Sequence, residues 1–279
     1  MTPADARVDA AWIASREGDP LVRVIEIDVS PAAYSAGHIP GAVLWNAYTD
    51  LRHADYLPIS GGELQALLRK SGVTAATTIV FYGYGAPLGY WLMSSYGHAR
   101  LRFMDGPRDQ WKAAGRHWST GVPTPAESAY VLARQQAFHA SKEDVLQMMG
   151  RSGGPLLLDT RSKAEYEGER FWPSGAAAGA GRAGHVPGAV HLPVEWLRTA
   201  SGHFKGEDEM RRVLIDHGIA PTSRIVTYCT IGNRAAQAWY ALTHLLGYDD
   251  VRVYYGSWTE WGLSATTPVE TSGVAPESV

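Results

Sequence analysis

The chain has 279 residues, of which 45% are hydrophobic, and this length can bury one large core or two ordinary ones of about 100–150 residues each. The formal net charge of -3 at pH 7 gives no general electrostatic attraction to nucleic acid or to an anionic membrane surface. Cys229 is the only cysteine, which excludes an intramolecular disulfide and a zinc site built from several cysteines.

The N-terminal sequence carries no recognisable targeting signal. Residues 1–10 include Asp5 and Asp9 and lack the basic and apolar regions of a signal peptide. No apolar run approaches the roughly 20 residues that a membrane-spanning helix needs. We therefore expect a soluble, cytoplasmic protein without a nucleic-acid or membrane partner.

The first half of the chain alternates apolar segments with helical patterns. The patterns predict strands at 25–29 and 79–82 and a helix at Gly61–Lys70. A Gly-His-Ile-Pro-Gly-Ala turn, Gly37–Ala42, follows the first strand. Strands that alternate with helices indicate a parallel sheet covered by helices.

The second half repeats these landmarks in the same order. A strand at 156–160 ends in Asp159 as the first strand ends at Asp28, and Gly184–Ala189 repeats the turn with five identities in six positions. The other recurring features are the apolar strand 225–228 and the pair Gly256 and Trp261, which matches Gly106 and Trp111. An internal repeat of this kind predicts an α/β fold with two similar domains.

Proline and glycine mark the boundary between the two copies. The segment Gly121–Pro125 contains two prolines, which fix φ and remove hydrogen-bond donors. We therefore predict an N-terminal domain at 1–122, a linker at 123–136 and a C-terminal domain at 137–279. The second copy is longer, and the Gly/Ala-rich stretch 174–181 is the expected place of its insertion.

The candidate chemistry lies around Cys229, directly after the strand 225–228 and before a helical pattern at 235–242. Ligands of open parallel sheets bind beyond the carboxyl ends of the strands. A short strand-to-helix loop can aim several N–H groups at one point, which would favour the thiolate, the nucleophilic form of cysteine. Gly232 allows the turn, and the Arg234 guanidinium can bind an anion.

Four segments together carry a family resemblance: GHIPGA, AGHVPGA, CTIGNR and YYGSWTEWG. They resemble the rhodanese superfamily in its tandem, two-domain form, and the Cys-x-x-Gly-x-Arg loop is similar to that of bacterial thiosulfate sulfurtransferases. The resemblance implies an active C-terminal domain and an inactive N-terminal one, in which Gly83 takes the cysteine position. It also implies that Cys229 is the nucleophile and carries sulfur as a persulfide, which is cradled by Thr230, Ile231, Gly232, Asn233 and Arg234.

The resemblance further places Arg161 near the anionic end of the substrate. The sequence departs from the family at Glu165, where an arginine is often found, and at Thr230-Ile231, where animal rhodaneses have Arg-Lys. Positive charge for the substrate would then come from Arg161, Arg182 and Arg234. No cofactor is expected, and the scattered histidines lack the spacing of a metal site.

The expected reaction moves sulfur from thiosulfate to cyanide, a thiol or an acceptor protein. One alternative uses 3-mercaptopyruvate as the donor, although its usual loop, Cys-Gly-x-Gly-Val-Thr, differs from this one. A second is a cysteine phosphatase, which would need Cys-x5-Arg in place of the Cys-x4-Arg found here. A third is a non-catalytic binding protein. His38 and His185, which occur in both copies of the turn, are interpreted as structural.

Overall fold

The computed structural model describes residues 6–133, 138–149, 153–177, 179 and 181–271. These residues contain two five-stranded sheets in which all strand pairs are parallel. Each sheet lies in its own compact unit. Unit 1 comprises Met1–Gln136 and Thr199–Phe204, and unit 2 comprises Ala137–Arg198 and Lys205–Val279. The predicted α/β fold with two parallel sheets is confirmed.

Unit 1 has the strand order β1-β5-β4-β2-β3. Its strands are β1 Arg7–Val8, β2 Val22–Asp28, β3 Val43–Asn46, β4 Thr78–Tyr82 and β5 Leu101–Met104. Its helices are α1 Ala10–Ala14, α2 Ala32–Ala36, α3 Gly61–Lys70, α4 Ala86–Ser95 and α5 Gln110–Ala113.

Unit 2 has the equivalent order β6-β10-β9-β7-β8, with β9 at the centre of the sheet. Its strands are β6 His139–Ala140, β7 Leu156–Asp159, β8 Val190–His191, β9 Ile225–Tyr228 and β10 Val251–Tyr254. Its helices are α6 Lys142–Met148, α7 Lys163–Tyr166, α8 Glu207–Asp216, α9 Asn233–Tyr240 and α10 Ser257–Leu263, with a 3₁₀ helix at Val194–Leu197 and a π-helical turn at Ala241–Leu245.

The central strands are buried along their length, because helices cover both faces of a parallel sheet. All four residues of β9 are buried, and so are the last four of β4. Side chains at the helix starts fix where the chain leaves the sheet: Ser141 and Asp144 form a capping box at α6, and Ser162 and Glu165 form one at α7. Because β9 is the central strand, its carboxyl end lies in the middle of one edge of the sheet.

Strand register shows how the two units correspond. Ile25 pairs with Val43 in unit 1, and Leu158 pairs with Val190 in unit 2. Since Val43 and Val190 each directly follow the repeated turn, the residue equivalent to Asp159 is Glu26. The sequence match of Asp159 with Asp28 is therefore wrong by two residues, because β2 continues beyond the equivalent of the β7 end.

Each unit buries an acid and a tyrosine at this place and pairs the acid with an arginine. In unit 2 the Arg161 guanidinium donates to Asp159, with Nη2 to Oδ2 at 2.6 Å, and Tyr228 lies beside them. In unit 1 Glu26 accepts a 2.7 Å bond from Nε of Arg108 and a bond from the Tyr82 hydroxyl. The arginine comes from a different element in each unit, but the buried charge is neutralised in both.

The two Gly-His-x-Pro-Gly turns also have equivalent contacts. His38 Nδ1 lies 2.9 Å from the Tyr34 carbonyl, and His185 Nδ1 lies 2.7 Å from the Tyr166 carbonyl. Each histidine ring stacks on that same tyrosine. These contacts give both histidines the structural role predicted for them.

The described part of the predicted linker, residues 123–133, has no helix or strand and packs on unit 1. Its Ser128 amide donates to the Arg69 carbonyl at 3.0 Å, and its Leu132 amide donates to Gln65 at 2.8 Å. The predicted domain limit between residues 136 and 137 lies outside the described residues, as do residues 178 and 180 of the predicted insertion. Among the described helices, none is long and apolar enough to cross a membrane.

We expect Arg108→Ala to destabilise unit 1 strongly, because it leaves the fully buried Glu26 carboxylate without its counter-charge. Breaking a buried ion pair costs about 3–5 kcal/mol of unfolding free energy. Urea unfolding followed by circular dichroism measures the loss. Arg100→Ala, at an exposed position of the same unit, is the control and should change stability by less than about 0.5 kcal/mol. Equal effects of the two substitutions would contradict the assignment.

Candidate active site

Cys229 lies at the carboxyl end of the central strand β9 and at the entrance to α9. It is a free thiol and is only 1% exposed. Its Sγ accepts a 3.0 Å hydrogen bond from the backbone N–H of Gly232, the N-cap residue of α9. The sulfur therefore faces the positive end of a helix and one of its orphan amides, an arrangement that stabilises negative charge.

Gly232 is required by both conformation and space. Its φ is 88°, in the left-handed region that favours glycine. A Cβ at this position would also lie 2.5 Å from Cδ2 of Tyr255, closer than real contacts allow. The tight loop that aims the Gly232 amide at the sulfur depends on the absence of a side chain here.

The carbonyl groups of the loop are bound by the first turn of α10. The Trp258 amide donates to the Cys229 carbonyl at 2.9 Å, and the Thr259 amide donates to the Thr230 carbonyl at 3.1 Å. The C=O and N–H of a trans peptide point in opposite directions, so these bonds turn the N–H groups of Thr230 and Ile231 away from α10. The loop is thus oriented with its carbonyls fixed on one side.

A buried carboxylate fixes the loop from a second direction. Glu165, which is 0% exposed, accepts two 2.8 Å bonds from the Arg234 guanidinium and a 2.7 Å bond from the Thr230 hydroxyl. Ser162, at the start of α7, donates to the same carboxylate from its hydroxyl at 2.7 Å and its amide at 3.2 Å. Glu165 thus ties α7 to both the cysteine loop and α9.

The environment of Glu165 keeps it ionised. Burial alone would raise its pKa, but the bonds and charge of Arg234, with the bonds from Thr230 and Ser162, more than offset that effect and lower the pKa to about 2. Arg234 and Glu165 therefore form a bidentate ion pair that is neutral as a whole.

The structure brings together six of the eight predicted site residues. The other two, Arg161 and Arg182, form hydrogen bonds with residues outside the cysteine loop. Cys229, Thr230, Ile231, Gly232, Asn233 and Arg234 form the loop and the start of α9, and all are buried. The Arg234 guanidinium, which was expected to bind a substrate anion, forms an ion pair with Glu165. A direct contact between Arg234 and a substrate stays a prediction.

Arg161 follows β7 and is fully buried. Besides Asp159, its Nη2 donates to the Gly184 carbonyl at 2.6 Å, and its guanidinium carbon lies 4.4 Å from the centre of the Trp258 ring. Its Nη1 has no hydrogen-bond partner among the described residues. Arg182 donates from Nη2 to the Ser264 carbonyl and, at 2.8 Å, to the Thr267 hydroxyl.

Unit 1 lacks the cysteine and the ion pair at the positions equivalent to Cys229, Arg234 and Glu165. Gly83 follows β4 as Cys229 follows β9, and five residues later Leu88 stands where Arg234 stands. Tyr34 and Tyr166 correspond, because both hydroxyls donate to the last carbonyl of the repeated turn, Ala42 and Ala189 respectively.

The residue before Tyr34, which is therefore the equivalent of Glu165, is Ala33. The cysteine and both members of the ion pair are absent together from unit 1. Glu165 is the site residue that the sequence analysis missed, and the pair Ala33 and Leu88 in the other copy was the signal that could have found it.

The rhodanese-like domain model matches the chain twice, at residues 9–114 and 141–264. SseA of Mycobacterium tuberculosis (strain CDC 1551 / Oshkosh) is 39% identical over 96% of this chain and 93% of its own length. The sulfur carrier protein TtuD of Thermus thermophilus is 36% identical over 94% of this chain and 95% of its own. The thiosulfate sulfurtransferase of Corynebacterium glutamicum is 35% identical over 95% of this chain and 90% of its own.

Solved structures of the same fold include the anaerobic ergothioneine biosynthesis enzyme from Chlorobium limicola, in complex with trimethyl histidine. It superimposes with a TM-score of 0.81 at 26% identity, over 97% of this chain and 71% of that one.

We expect the double variant Glu165→Ala/Arg234→Leu to lose less unfolding free energy than the sum of the two single losses. The double variant copies the Ala33 and Leu88 of unit 1, where neither charge is present. Each single variant leaves a buried charge unpaired and should cost about 3–5 kcal/mol of unfolding free energy. The double variant should cost less than the sum by about 1–3 kcal/mol. Urea unfolding of the four proteins in this cycle gives the coupling energy.

The same cycle has a defined pH dependence and a control. A carboxyl whose pKa is lowered on folding adds stability that is complete above its unfolded pKa and is lost as pH falls through the folded one. The coupling energy between Glu165 and Arg234 should therefore be constant near neutral pH and decrease as the pH falls from 4.5 to about 2. The matched control is the ion pair between the exposed Lys163, at the start of α7, and the half-buried Glu167, at the C-cap of α7, with a coupling of at most about 0.5 kcal/mol. Additive effects at Glu165 and Arg234 would contradict the assignment.

Proposed function

The chain belongs to the rhodanese family, with two rhodanese-like domains in tandem, and from this premise we propose that it is a sulfurtransferase whose Cys229 carries sulfur as a persulfide. The observation that carries the proposal is the hydrogen bond from the Gly232 amide to Sγ of Cys229 at the start of α9. A buried thiol that only fills space needs no such donor, whereas a sulfur that bears negative charge does.

Thiosulfate is the proposed donor. Support comes from the relative in Corynebacterium glutamicum, which is named a thiosulfate sulfurtransferase and matches nearly the whole chain. The acceptor is proposed to be cyanide, a thiol or an acceptor protein. The relative TtuD, named a sulfur carrier protein, favours a protein or other cellular acceptor over cyanide.

In the first half-reaction the Cys229 thiolate attacks the outer sulfur of thiosulfate. A bond forms between Sγ and that sulfur, the sulfur–sulfur bond of thiosulfate breaks, and sulfite leaves with the electron pair. The product is a Cys229 persulfide anion, so the total charge is unchanged. This is covalent catalysis in the ping-pong manner.

In the second half-reaction a nucleophilic acceptor attacks the terminal sulfur of the persulfide. The bond between the two sulfurs breaks, and Sγ returns to the thiolate. Negative charge lies on Sγ or on the terminal sulfur at every stage, so backbone donors of the loop and the end of α9 stabilise it throughout. The bond from Gly232 to Sγ is the observed example of such a donor.

The arginines have different proposed roles. Arg234 holds the loop through Glu165, because both of its terminal nitrogens are bound there. Nη1 of Arg161, buried and without a hydrogen-bond partner among the described residues, is the group we propose to attract the donor anion. Arg182, bound to Ser264 and Thr267, is proposed to shape the adjoining segment.

The competing functions fit these contacts less well. A cysteine phosphatase uses its loop arginine to hold phosphate, but here the Arg234 guanidinium pairs with Glu165. A 3-mercaptopyruvate sulfurtransferase uses arginines for the carboxylate of its donor, and Glu165 replaces one of them with a negative charge. A non-catalytic binding protein has no need of a thiol held at a helix N-terminus.

The proposal also includes the organisation of the chain. Residues 1–122 form the inactive domain with Gly83 at the cysteine position, residues 123–136 link the domains, and residues 137–279 form the catalytic domain. We propose a cytoplasmic location, where a reducing environment keeps a single thiol available.

We expect Cys229→Ser to abolish sulfur transfer, because a serine hydroxyl is not ionised near neutral pH and cannot form a persulfide. Mass spectrometry after thiosulfate treatment should show one added sulfur on the wild-type chain and none on the variant. Circular dichroism checks that the fold is intact. Transfer to cyanide at a rate near that of the wild type in Cys229→Ser would rule out the persulfide mechanism.

We expect thiosulfate to be used in preference to 3-mercaptopyruvate, because Glu165 stands where the mercaptopyruvate pattern has an arginine for the donor carboxylate, so that arginine is absent. The comparison is kcat/KM for the two donors with one acceptor. A wild-type enzyme with higher kcat/KM for mercaptopyruvate would overturn the donor assignment.

A further inference from the structure

Ser257, the first residue of α10, has an unusual backbone conformation. Its φ is 56°, in the left-handed region, and it is 0% exposed. Among the described residues only Tyr56 is a second non-glycine residue with positive φ. Such a conformation is strained and persists where surrounding contacts fix it, often at functional sites. The contacts of the Ser257 side chain show what fixes it.

The Ser257 hydroxyl joins the end of β10 to the cysteine. It donates to the Tyr254 carbonyl at 2.8 Å and accepts a 3.2 Å bond from the backbone N–H of Cys229. Buried N–H groups need an acceptor, and Ser257 supplies the one for Cys229. The hydroxyl is not exposed and contacts the reacting residue through its main chain.

Both main-chain polar groups of Cys229 are thus bound by α10. The N–H is bound by the Ser257 hydroxyl, and the C=O is bound by the amide of the next residue, Trp258. The left-handed conformation of Ser257 lets its hydroxyl reach the Cys229 N–H while the Trp258 amide reaches the Cys229 C=O. Fixing both ends of the Cys229 main chain restricts the direction of Cα–Cβ, and with it the direction of Sγ toward Gly232.

We propose that Ser257 is a positioning residue for sulfur transfer, which uses its hydroxyl to hold the Cys229 main chain so that Sγ meets the loop amides. This inference rests on the proposed function of Cys229 and goes beyond it by naming a residue that does not touch the sulfur.

Unit 1 offers an internal comparison. Register places Leu101 opposite Ile79 and Val251 opposite Ile225, so Pro107 is the equivalent of Ser257. Proline has φ near -65° and no hydroxyl, so it can neither take the left-handed conformation nor bind the preceding loop. The unit without a cysteine therefore also lacks the residue that would hold it.

Three substitutions at Ser257 separate the hydroxyl from the backbone strain. Ser257→Ala removes the hydroxyl and keeps the strain, and Ser257→Gly removes both. Ser257→Thr keeps a hydroxyl and increases the strain, because a β-branched residue is disfavoured at positive φ. Ser95→Ala is the matched control, since Ser95 is also 0% exposed and also donates to backbone carbonyls, but lies in α4 of unit 1.

Two rates and the melting temperature are measured for each protein. The first rate is single-turnover loading of Cys229 by thiosulfate, followed by mass spectrometry. The second is alkylation of Cys229 by iodoacetamide across pH, which needs no sulfur donor. We expect Ser257→Ala and Ser257→Gly to slow loading about five- to tenfold, as the loss of one or two buried hydrogen bonds would. Both variants should also change the pH dependence of the rate at which iodoacetamide alkylates Cys229. We expect Thr to load faster than Gly although it melts at a lower temperature.

The outcomes are distinct. Loading rates that follow the melting temperatures across the series, or a Ser257→Gly enzyme that loads at the wild-type rate, would overturn the positioning role. A similar slowing in Ser95→Ala would overturn it too. If the wild-type chain takes up no sulfur from thiosulfate, the proposed function fails, while an alkylation profile that depends on the Ser257 hydroxyl still supports the positioning of Cys229.

Discussion

Five hydrogen bonds converge on one buried carboxylate, that of Glu165, and the geometry of the cysteine loop depends on it. A carboxylate in a low-dielectric interior is costly unless it is paired and fully hydrogen-bonded. Arg234 supplies the opposite charge and Thr230 a further donor, so the position of the loop is tied to Glu165 by three hydrogen bonds. Because the ion pair is neutral, it adds little net charge beside Cys229. In the proposed mechanism, the negative charge on sulfur is therefore left to be stabilised by amide dipoles and the end of α9.

The loop is held from both sides before any substrate arrives. On one side Glu165 binds the side chains of Thr230 and Arg234, and on the other the first turn of α10 binds the loop carbonyls. Backbone groups held in this way need not reorganise when, in the proposed mechanism, charge moves from Sγ to the terminal sulfur, which is the condition for electrostatic catalysis. The two supports come from α7 and α10, which are distant in sequence but meet at the carboxyl edge of one sheet.

Much of this could be read from the sequence. The apolar segments 79–82 and 225–228 predicted β4 and β9, the helix predicted at Gly61–Lys70 agrees with α3, and the position of Cys229 after β9 followed directly. The partner of Arg234 could not be read, because Glu165 is 69 residues away and only the folded sheet brings the two together. The two-residue error in matching β2 to β7 has a local cause: Glu26 is a buried charge inside an apolar strand, and a buried charge is expected only where a partner such as Arg108 is known.

Unit 1 has no cysteine at the position of Cys229 and also lacks the residues that hold Cys229 in unit 2. Ala33, Leu88 and Pro107 occupy the positions of Glu165, Arg234 and Ser257. Unit 1 does contain a buried acid, Glu26, which is bound by Arg108 and Tyr82. A cysteine introduced at position 83 would find neither an ion pair like that of Glu165 and Arg234 nor contacts like those of Ser257. Building a comparable thiol site in unit 1 would therefore take several substitutions made together.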